Sequence, residues 1–281
     1  MRIQPFRRHL FSLDPMLLEP QLIAELLVIG LCTGFLAGLL GIGGGMIMVP
    51  FLTFILTAKG FPADYTVKMA VATSLATICL TSLSSVRAHH KRGAVLWPIV
   101  RLLAPGIVLG SIVGAQFAAA LPGKLLGILF AIFVAFSATQ MFIDRKPKPS
   151  RTLPGRLGTF SMGWVIGMLS SLVGAGGAFV SVPFMTWCNV KIHDAVGTSS
   201  ALGFPIALAG TLGYIWAGQN MPAMPPGSVG FLYLPGLVVI SLASVCTAPL
   251  GARTAHRMDI RPLKKVFASI LYVLAAYFLF R

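Results

Sequence analysis

The sequence predicts an all-α polytopic membrane protein made of two inverted repeats, with broken or re-entrant helices at glycine-rich motifs. Three observations lead to this fold class. Of the 281 residues, 56% are hydrophobic and only 10% are charged, whereas soluble domains carry about 25% charged residues. Apolar runs long enough for a bilayer span, which needs about 20 residues, recur along the chain. Similar motifs also stand in the same order in both halves.

The apolar runs and a basic linker divide the chain into four parts. These are an N-terminal arm (1–21), a first transmembrane repeat (22–143), a basic linker (144–156) and a second transmembrane repeat (157–281). The predicted helical segments of the first repeat are Leu22–Leu56, interrupted at its glycines, Met69–Ser85, Val95–Ala119 and Leu125–Ile143. Those of the second repeat are Leu157–Cys188, again interrupted, Ala195–Ala217, Val229–Ala252 and Leu263–Phe280.

Each interrupted segment contains a copy of one glycine motif, GIGGGMIMVPF from Gly41 and GAGGAFVSVPF from Gly174. A glycine inside a helix costs about 1 kcal/mol relative to alanine, and lipid cannot hydrogen-bond the backbone that a break frees. The repeated motif therefore predicts a functional helix break, although close packing of helices on small residues is the alternative. The residues predicted to break the helices are Gly41, Pro50, Gly174 and Pro183.

The breaks predict a site for an anion. A helix that starts at a glycine turn exposes N–H groups and a partial charge of about +0.5, and glycine lets a ligand approach the backbone. The two copies would meet from opposite faces. Hydroxyl groups of the repeated motifs AVATS (70–74) and AVGTS (195–199) would add donors, unless they bond to carbonyls four residues earlier. The predicted substrate-binding residues are Gly43, Gly44, Gly45, Thr73, Ser74, Thr77, Gly176, Gly177, Thr198 and Ser199.

The basic residues indicate how the segments cross the membrane. If each interrupted segment crossed once, the basic loop after the third segment of the second repeat would lie opposite the linker. If each turned back as two helical segments, loop and linker would share the cytoplasmic side that basic residues prefer. Each repeat then has five helical segments, an odd number that inverts the second repeat. The loop residues are Arg253, Arg257, Arg261, Lys264 and Lys265.

Several function classes fit the sequence poorly. The net charge of +15 comes from basic residues clustered in loops, where they meet lipid headgroups rather than nucleic acid. The cysteines form no C-x-x-C pair, so neither a metal nor any other cofactor is predicted. Only Glu25 among the acids falls within a span, which disfavours cation transport. An intramembrane serine protease is a poor fit, because His193 shares a helix with the nearby serines.

The motifs GLLGIGGGMIMVPFL and SLVGAGGAFVSVPFM, with the paired ATS and GTS, resemble those of the TauE/SafE family of membrane permeases, also called sulfite exporters. The resemblance runs from about Leu22 to Phe280. It implies a non-enzymatic transporter of small sulfur-containing anions, such as sulfite, sulfoacetate or other organosulfonates, often acting outward. It also implies that the two Gly-Gly pairs and the two Thr-Ser pairs line the pathway.

The expected partners are a small anionic substrate and the lipid of a bacterial-type inner membrane. The sequence leaves open which anion is transported, in which direction, by which coupling mechanism, and whether the chain forms a homo-oligomer. The alternative function is a non-transporting membrane scaffold or a subunit of a larger complex.

Overall fold

A computed structural model describes residues 19–40, 44–143, 152–219, 221, 224–255 and 260–280. These residues form ten helices and one small β-hairpin. The helices of the first half are α1 (Pro20–Leu40), α2 (Gly45–Ala58), α3 (Ala63–Lys91), α4 (Trp97–Ala120) and α5 (Gly123–Ile143). Those of the second half are α6 (Arg156–Val173), α7 (Ala178–Trp187), α8 (Ile192–Gly218), α9 (Leu234–Ala255) and α10 (Ile260–Phe280).

The lengths of the helices confirm an α-helical, multi-pass membrane protein. Six of the described helices, α1, α3, α4, α5, α8 and α9, are long and apolar enough to cross a membrane. In contrast, α2 and α7 have only 14 and 10 residues. A span needs about 20 residues, so neither of these two short apolar helices reaches across a bilayer by itself.

Both glycine motifs interrupt a helix, as the sequence predicts. Gly44 precedes α2 with a φ of 63°, while Gly174 ends α6 and Gly177 precedes α7 with φ values of 69° and 76°. Glycine adopts this left-handed conformation without the steric strain that a side chain would add. The predicted break residues Pro50 and Pro183 lie inside α2 and α7, so neither proline ends a helix. The predicted break residue Gly41 and the predicted site residue Gly43 lie outside the described residues.

The first broken segment turns back on itself. The carboxylate of Glu19, directly before α1, forms a 2.7 Å ion pair with the ammonium of Lys59, directly after α2. At 1.5 Å per residue, two helices of these lengths running in one direction would separate their outer ends by about 50 Å. The contact between Glu19 and Lys59 therefore means that α1 and α2 form a helical hairpin whose tip is the glycine motif.

The two halves interlock through equivalent contacts. Helix α1 packs along α9, and α6 packs along α4. A Cβ atom on Gly30 of α1 would lie 2.9 Å from the carbonyl oxygen of Ile240, and one on Gly163 of α6 would meet the carbonyl oxygen of Leu103. Gly30 and Gly163 occupy matching positions of the two glycine-motif segments. Leu103 and Ile240 are equivalent in the same way, because the distance between them in the sequence equals the distance between the Gly-Ala motif at Gly114 in α4 and the one at Gly251 in α9.

The start of α9 differs from the sequence prediction. The predicted segment Val229–Ala252 begins instead with a β-hairpin, in which β1 (Ser228–Val229) pairs antiparallel with β2 (Leu232–Tyr233). Gly230, with a φ of 56°, makes the turn between the strands. This turn prevents the helix from starting before Leu234. The second strand and the turn residue before it are buried, because Phe231 and Tyr233 expose none of their surface.

Candidate functional site

The two glycine breaks meet in the interior of the protein. The hydroxyl of Ser74 in α3 donates a 2.9 Å hydrogen bond to the carbonyl oxygen of Gly174, at the end of α6. Gly45, the first residue of α2, lies against both groups, because a Cβ atom there would meet the Gly174 oxygen and lie 2.9 Å from Ser74 Oγ. All three residues are buried. The structure thus brings together three residues that the sequence assigns to the breaks and the site.

The helices that leave the breaks start without a side-chain cap. No side chain of the described residues caps the N-terminus of α2 or α7. In α7 the first bonds run from the N–H groups of Val180 and Ser181 to the carbonyl oxygen of Gly177. The N–H groups before them have no acceptor within the helix, and they carry the positive end of the helix dipole. This arrangement suits an anion.

Two predicted site residues, Thr73 and Thr198, make matching structural hydrogen bonds. Thr73 Oγ1 accepts a 3.1 Å bond from the backbone N–H of Tyr233, and Thr198 Oγ1 accepts a 3.0 Å bond from that of Leu96. Tyr233 directly precedes α9, and Leu96 directly precedes α4. Both threonines are fully buried. Each therefore anchors the start of a helix, and its hydroxyl proton is the donor that it could still offer to an anion.

The other predicted hydroxyls are also engaged within the protein. Thr77 Oγ1 donates a 3.0 Å bond to the carbonyl oxygen of Thr73, one turn earlier. This is the back-bonding alternative that the sequence leaves open. Ser199 Oγ lies 2.7 Å from Ser181 Oγ and shares a hydrogen bond with it. The bond ties α8 to α7 just beyond the second break.

Among the described residues, space opens next to the second break at Gly176. Within this part of the chain, a Cβ atom on Gly176 would meet Ile78 Cγ2 alone, at 3.6 Å. One on Gly203 of α8 would lie 3.6 Å from the carbonyl oxygen of Gly176 and 3.7 Å from Ser82 Cβ. These are ordinary van der Waals distances, unlike the close contacts at Gly45. Gly203 therefore borders the same space, although the sequence pattern does not single it out.

The remaining site glycines, Gly44 and Gly177, each contact the helix before their own break, and Gly177 also contacts Ile206 of α8. A Cβ atom on Gly44 would lie 3.1 Å from Ala37 Cβ, whereas one on Gly177 would lie 3.1 Å from Ser170 Oγ. Ala37 and Ser170 hold equivalent positions, one before each motif. The two breaks therefore differ at this position, since one presents a methyl group and the other a hydroxyl.

Ser170 is a candidate that the sequence analysis misses. Its side chain is only 1% exposed, and its hydroxyl has no hydrogen-bond partner among the described residues. A buried hydroxyl without a partner is unfavourable, so its place beside the break suits a ligand that accepts a hydrogen bond. A comparison of residues one turn before each glycine motif would have found it. The described residues contain no cluster of three His, Cys, Asp or Glu side chains able to hold a metal.

Comparison with known protein families covers most of the chain. The model of the family described as "Sulfite exporter TauE/SafE" matches residues 26–278. The chain belongs to the TauE/SafE family. The chain is therefore a multi-pass membrane protein of a transporter family and not an enzyme, and the resemblance seen in its motifs is confirmed.

Three relatives of this TauE/SafE protein illustrate the match, each covered over nearly its whole length. A "Probable membrane transporter protein" of Haemophilus influenzae is 36% identical over 250 residues, which are 89% of this chain and 95% of the relative. One from Methanocaldococcus jannaschii is 26% identical over 260 residues, 92% of this chain and 96% of the relative. YdhB of Bacillus subtilis, of the same description, is 26% identical over 250 residues, 86% of this chain and 93% of the relative. No solved structure matches the chain.

Proposed function

We propose that this TauE/SafE protein exports small sulfur-containing anions, such as sulfite, sulfoacetate or another organosulfonate, across a bacterial-type inner membrane. The observation that carries the proposal is the meeting of the two broken helices, where Ser74 bonds to Gly174 and Gly45 lies against both. Broken helices that meet between two repeats are the usual site plan of secondary transporters. Backbone N–H groups and hydroxyls there are suited to bind oxyanions.

Alternating access between two inverted repeats, 22–143 and 157–281, is the proposed mechanism. Five described helices fall in each half, and an odd number per repeat reverses the direction of the second one. The equivalent threonine bonds at the starts of α4 and α9 support a two-fold relation between the halves. Rocking of one repeat against the other would expose the breaks to each side of the membrane in turn.

The proposed substrate contacts lie at the second break more than at the first. Ser170 and the space beside Gly176 belong to the second break, and Ala37 replaces the hydroxyl at the first. The ten predicted binding residues remain the proposed pathway, and Ser170 and Gly203 join them. This assignment gives a structural role to Thr73, Thr77 and Thr198. Neighbouring residues of the site make most of the direct contacts with the anion.

The proposed orientation places both chain ends in the periplasm and the linker 144–156 in the cytoplasm. It follows from the basic residues of the linker and of the stretch from Arg253 to Lys265, in which the structure places the end of α9 and the start of α10 rather than one long loop. Reporter fusions at Arg281 and near Pro149 should give opposite signals. The same signal from both positions would contradict the inverted arrangement.

Transport is tested with the purified chain in liposomes loaded with sulfite. Proteoliposomes should lose sulfite faster than protein-free liposomes, and the variant Gly176→Leu should slow this loss by filling the space at the second break. A folded parent protein that retains sulfite as well as protein-free liposomes do would refute the proposed substrate. The same assay with sulfoacetate separates inorganic from organic substrates.

A further inference from the structure

A buried lysine lies on α3 away from the glycine breaks. Lys68 is only 6% exposed. Its Nζ atom donates a 2.7 Å hydrogen bond to the carbonyl oxygen of Ala119, in the last turn of α4. The same atom lies 5.6 Å from the centre of the Phe231 ring, in the turn of the β-hairpin. The ammonium therefore sits between the end of one helix and an aromatic ring.

The charge of Lys68 has no ion-pair partner among the described residues. Asp64, one turn earlier on α3, interacts favourably with this charge from a longer distance, but no described carboxylate comes within the 4.0 Å of an ion pair, and the ion pair that those residues form joins Glu19 and Lys59. Burial of an unpaired ammonium is strongly unfavourable. The Ala119 carbonyl, the Phe231 ring and the more distant Asp64 charge compensate for only part of this, and a neutral donor would satisfy the Ala119 carbonyl at lower cost. A buried ammonium without an ion pair is suited to bind an anion that enters and leaves the protein.

The β-hairpin links this lysine to the glycine breaks. Lys68 precedes Ser74 by six residues on α3, which is about 9 Å along the helix axis. The backbone N–H of Tyr233, in the same β-hairpin as Phe231, bonds to Thr73 beside Ser74. The hydroxyl of Tyr233 is buried and has no partner among the described residues. The β-hairpin therefore contacts both the neighbourhood of the breaks and the buried ammonium.

We propose that Lys68 is a second anion-binding group, on the β-hairpin side of the glycine breaks, that takes a small oxyanion. Two of its three N–H groups remain for such a ligand after the bond to Ala119. Its burial favours a small free anion over a lipid headgroup. The identification of that anion as the transported one rests on the proposed function, whereas the anion-binding role of Lys68 does not.

The test measures thermal stabilisation of the purified protein in detergent by sulfite, sulfate and bromide, with sodium gluconate to keep the ionic strength constant. Lys68→Gln keeps an N–H donor for the Ala119 carbonyl and removes the charge, and Lys68→Arg keeps the charge. Lys68→Met is a second neutral variant, for use if glutamine prevents folding. Lys124→Gln is the matched control, because Lys124 is an exposed lysine at the start of α5, close in sequence to Ala119.

At least one of the three anions should stabilise the parent, Lys68→Arg and Lys124→Gln alike. The neutral variants should need about tenfold more of that anion for the same shift, since a hydrogen bond to a charged group is worth about a factor of ten or more. Equal responses of the parent and a folded neutral variant would overturn the assignment, as would a parent that no anion stabilises. Lys68-dependent stabilisation without sulfite flux in liposomes would refute the proposed function and leave this assignment standing.

Discussion

Ser74 in the first half and Gly174 in the second are joined by a 2.9 Å hydrogen bond from the serine hydroxyl to the glycine carbonyl. Gly174 ends α6, and the last carbonyls of a helix lack partners within it. Lipid supplies none, so a hydroxyl from another helix takes that place. Because Gly45 lies against the same carbonyl, this bond fixes the positions of α3, α6 and the start of α2 relative to one another.

Substitution of Ser74 by alanine should destabilise the protein. It would leave the Gly174 carbonyl unpaired in a buried site, which costs about 1–3 kcal/mol. Thermal unfolding in detergent should therefore occur at a lower temperature for Ser74→Ala. Ser84→Ala is the matched control, because Ser84 is an exposed residue of the same helix. Equal loss of stability in both variants would argue against a special role of this bond.

Replacement of Thr73 or Thr198 by valine should mainly reduce stability. Valine keeps the shape but leaves the backbone N–H of Tyr233 or Leu96 without its acceptor. A loss of about 1–3 kcal/mol per variant follows, with similar values for the two because their bonds are equivalent. Thr73→Ser and Thr198→Ser keep the oxygen and should unfold close to the parent. A folded valine variant of parental stability that loses sulfite binding would instead assign the threonine to substrate contact.

Repetition in the sequence predicts much of the architecture, including the ten helices, the breaks and their meeting. The repeat is informative because a glycine motif that occurs twice inside apolar segments indicates either a helix break or close packing of helices. The roles of the hydroxyls were harder to predict. Whether a buried hydroxyl contacts a ligand or a backbone group depends on which loop lies opposite it. Nothing in the motifs around Thr73 and Thr198 indicates that Tyr233 and Leu96 face them.

Lys68 and Ser170 show a second limit of sequence patterns. Lys68 stands near the end of an apolar segment, where a lysine ordinarily extends to water. Its burial comes from the β-hairpin and the end of α4, which are distant in the chain. Ser170 lies one turn before the motif. The left-handed backbone conformation of Gly177 places this glycine next to the Ser170 hydroxyl. Side-chain environments of this kind depend on tertiary packing.

Enlargement of Gly176 should reduce transport without unfolding the protein. Alanine fits at this position, since the one described atom that its Cβ would meet is Ile78 Cγ2, at 3.6 Å. Gly176→Ala should therefore unfold like the parent and transport less, and Gly176→Val should transport less still. Gly45→Ala is the contrasting variant, because its Cβ would meet the buried backbone of Gly174, and it should unfold at a lower temperature. Parental flux in Gly176→Val would contradict a substrate path along this glycine.

Removal of the Ser170 hydroxyl should weaken substrate binding and leave stability unchanged or higher. The hydroxyl is buried and unpartnered beside Gly177, so alanine breaks no described bond and relieves an unfavourable burial. If the hydroxyl donates to a bound anion, its loss costs about 1.5–3 kcal/mol of binding, a factor of roughly 10 to 100 in affinity. Sulfite binding to Ser170→Ala, measured by calorimetry, gives this factor directly.

The control for Ser170 is another buried hydroxyl without a partner. Ser137 in α5 is 1% exposed and also unpaired among the described residues, but it lies outside the broken segments. Ser137→Ala should therefore bind sulfite like the parent. Ala37→Ser places the same hydroxyl at the equivalent position of the first break and tests whether the asymmetry matters. If Ser170→Ala and Ser137→Ala bind sulfite equally well, the anion does not contact Ser170. The proposal that the anion binds mainly at the second break would then be wrong.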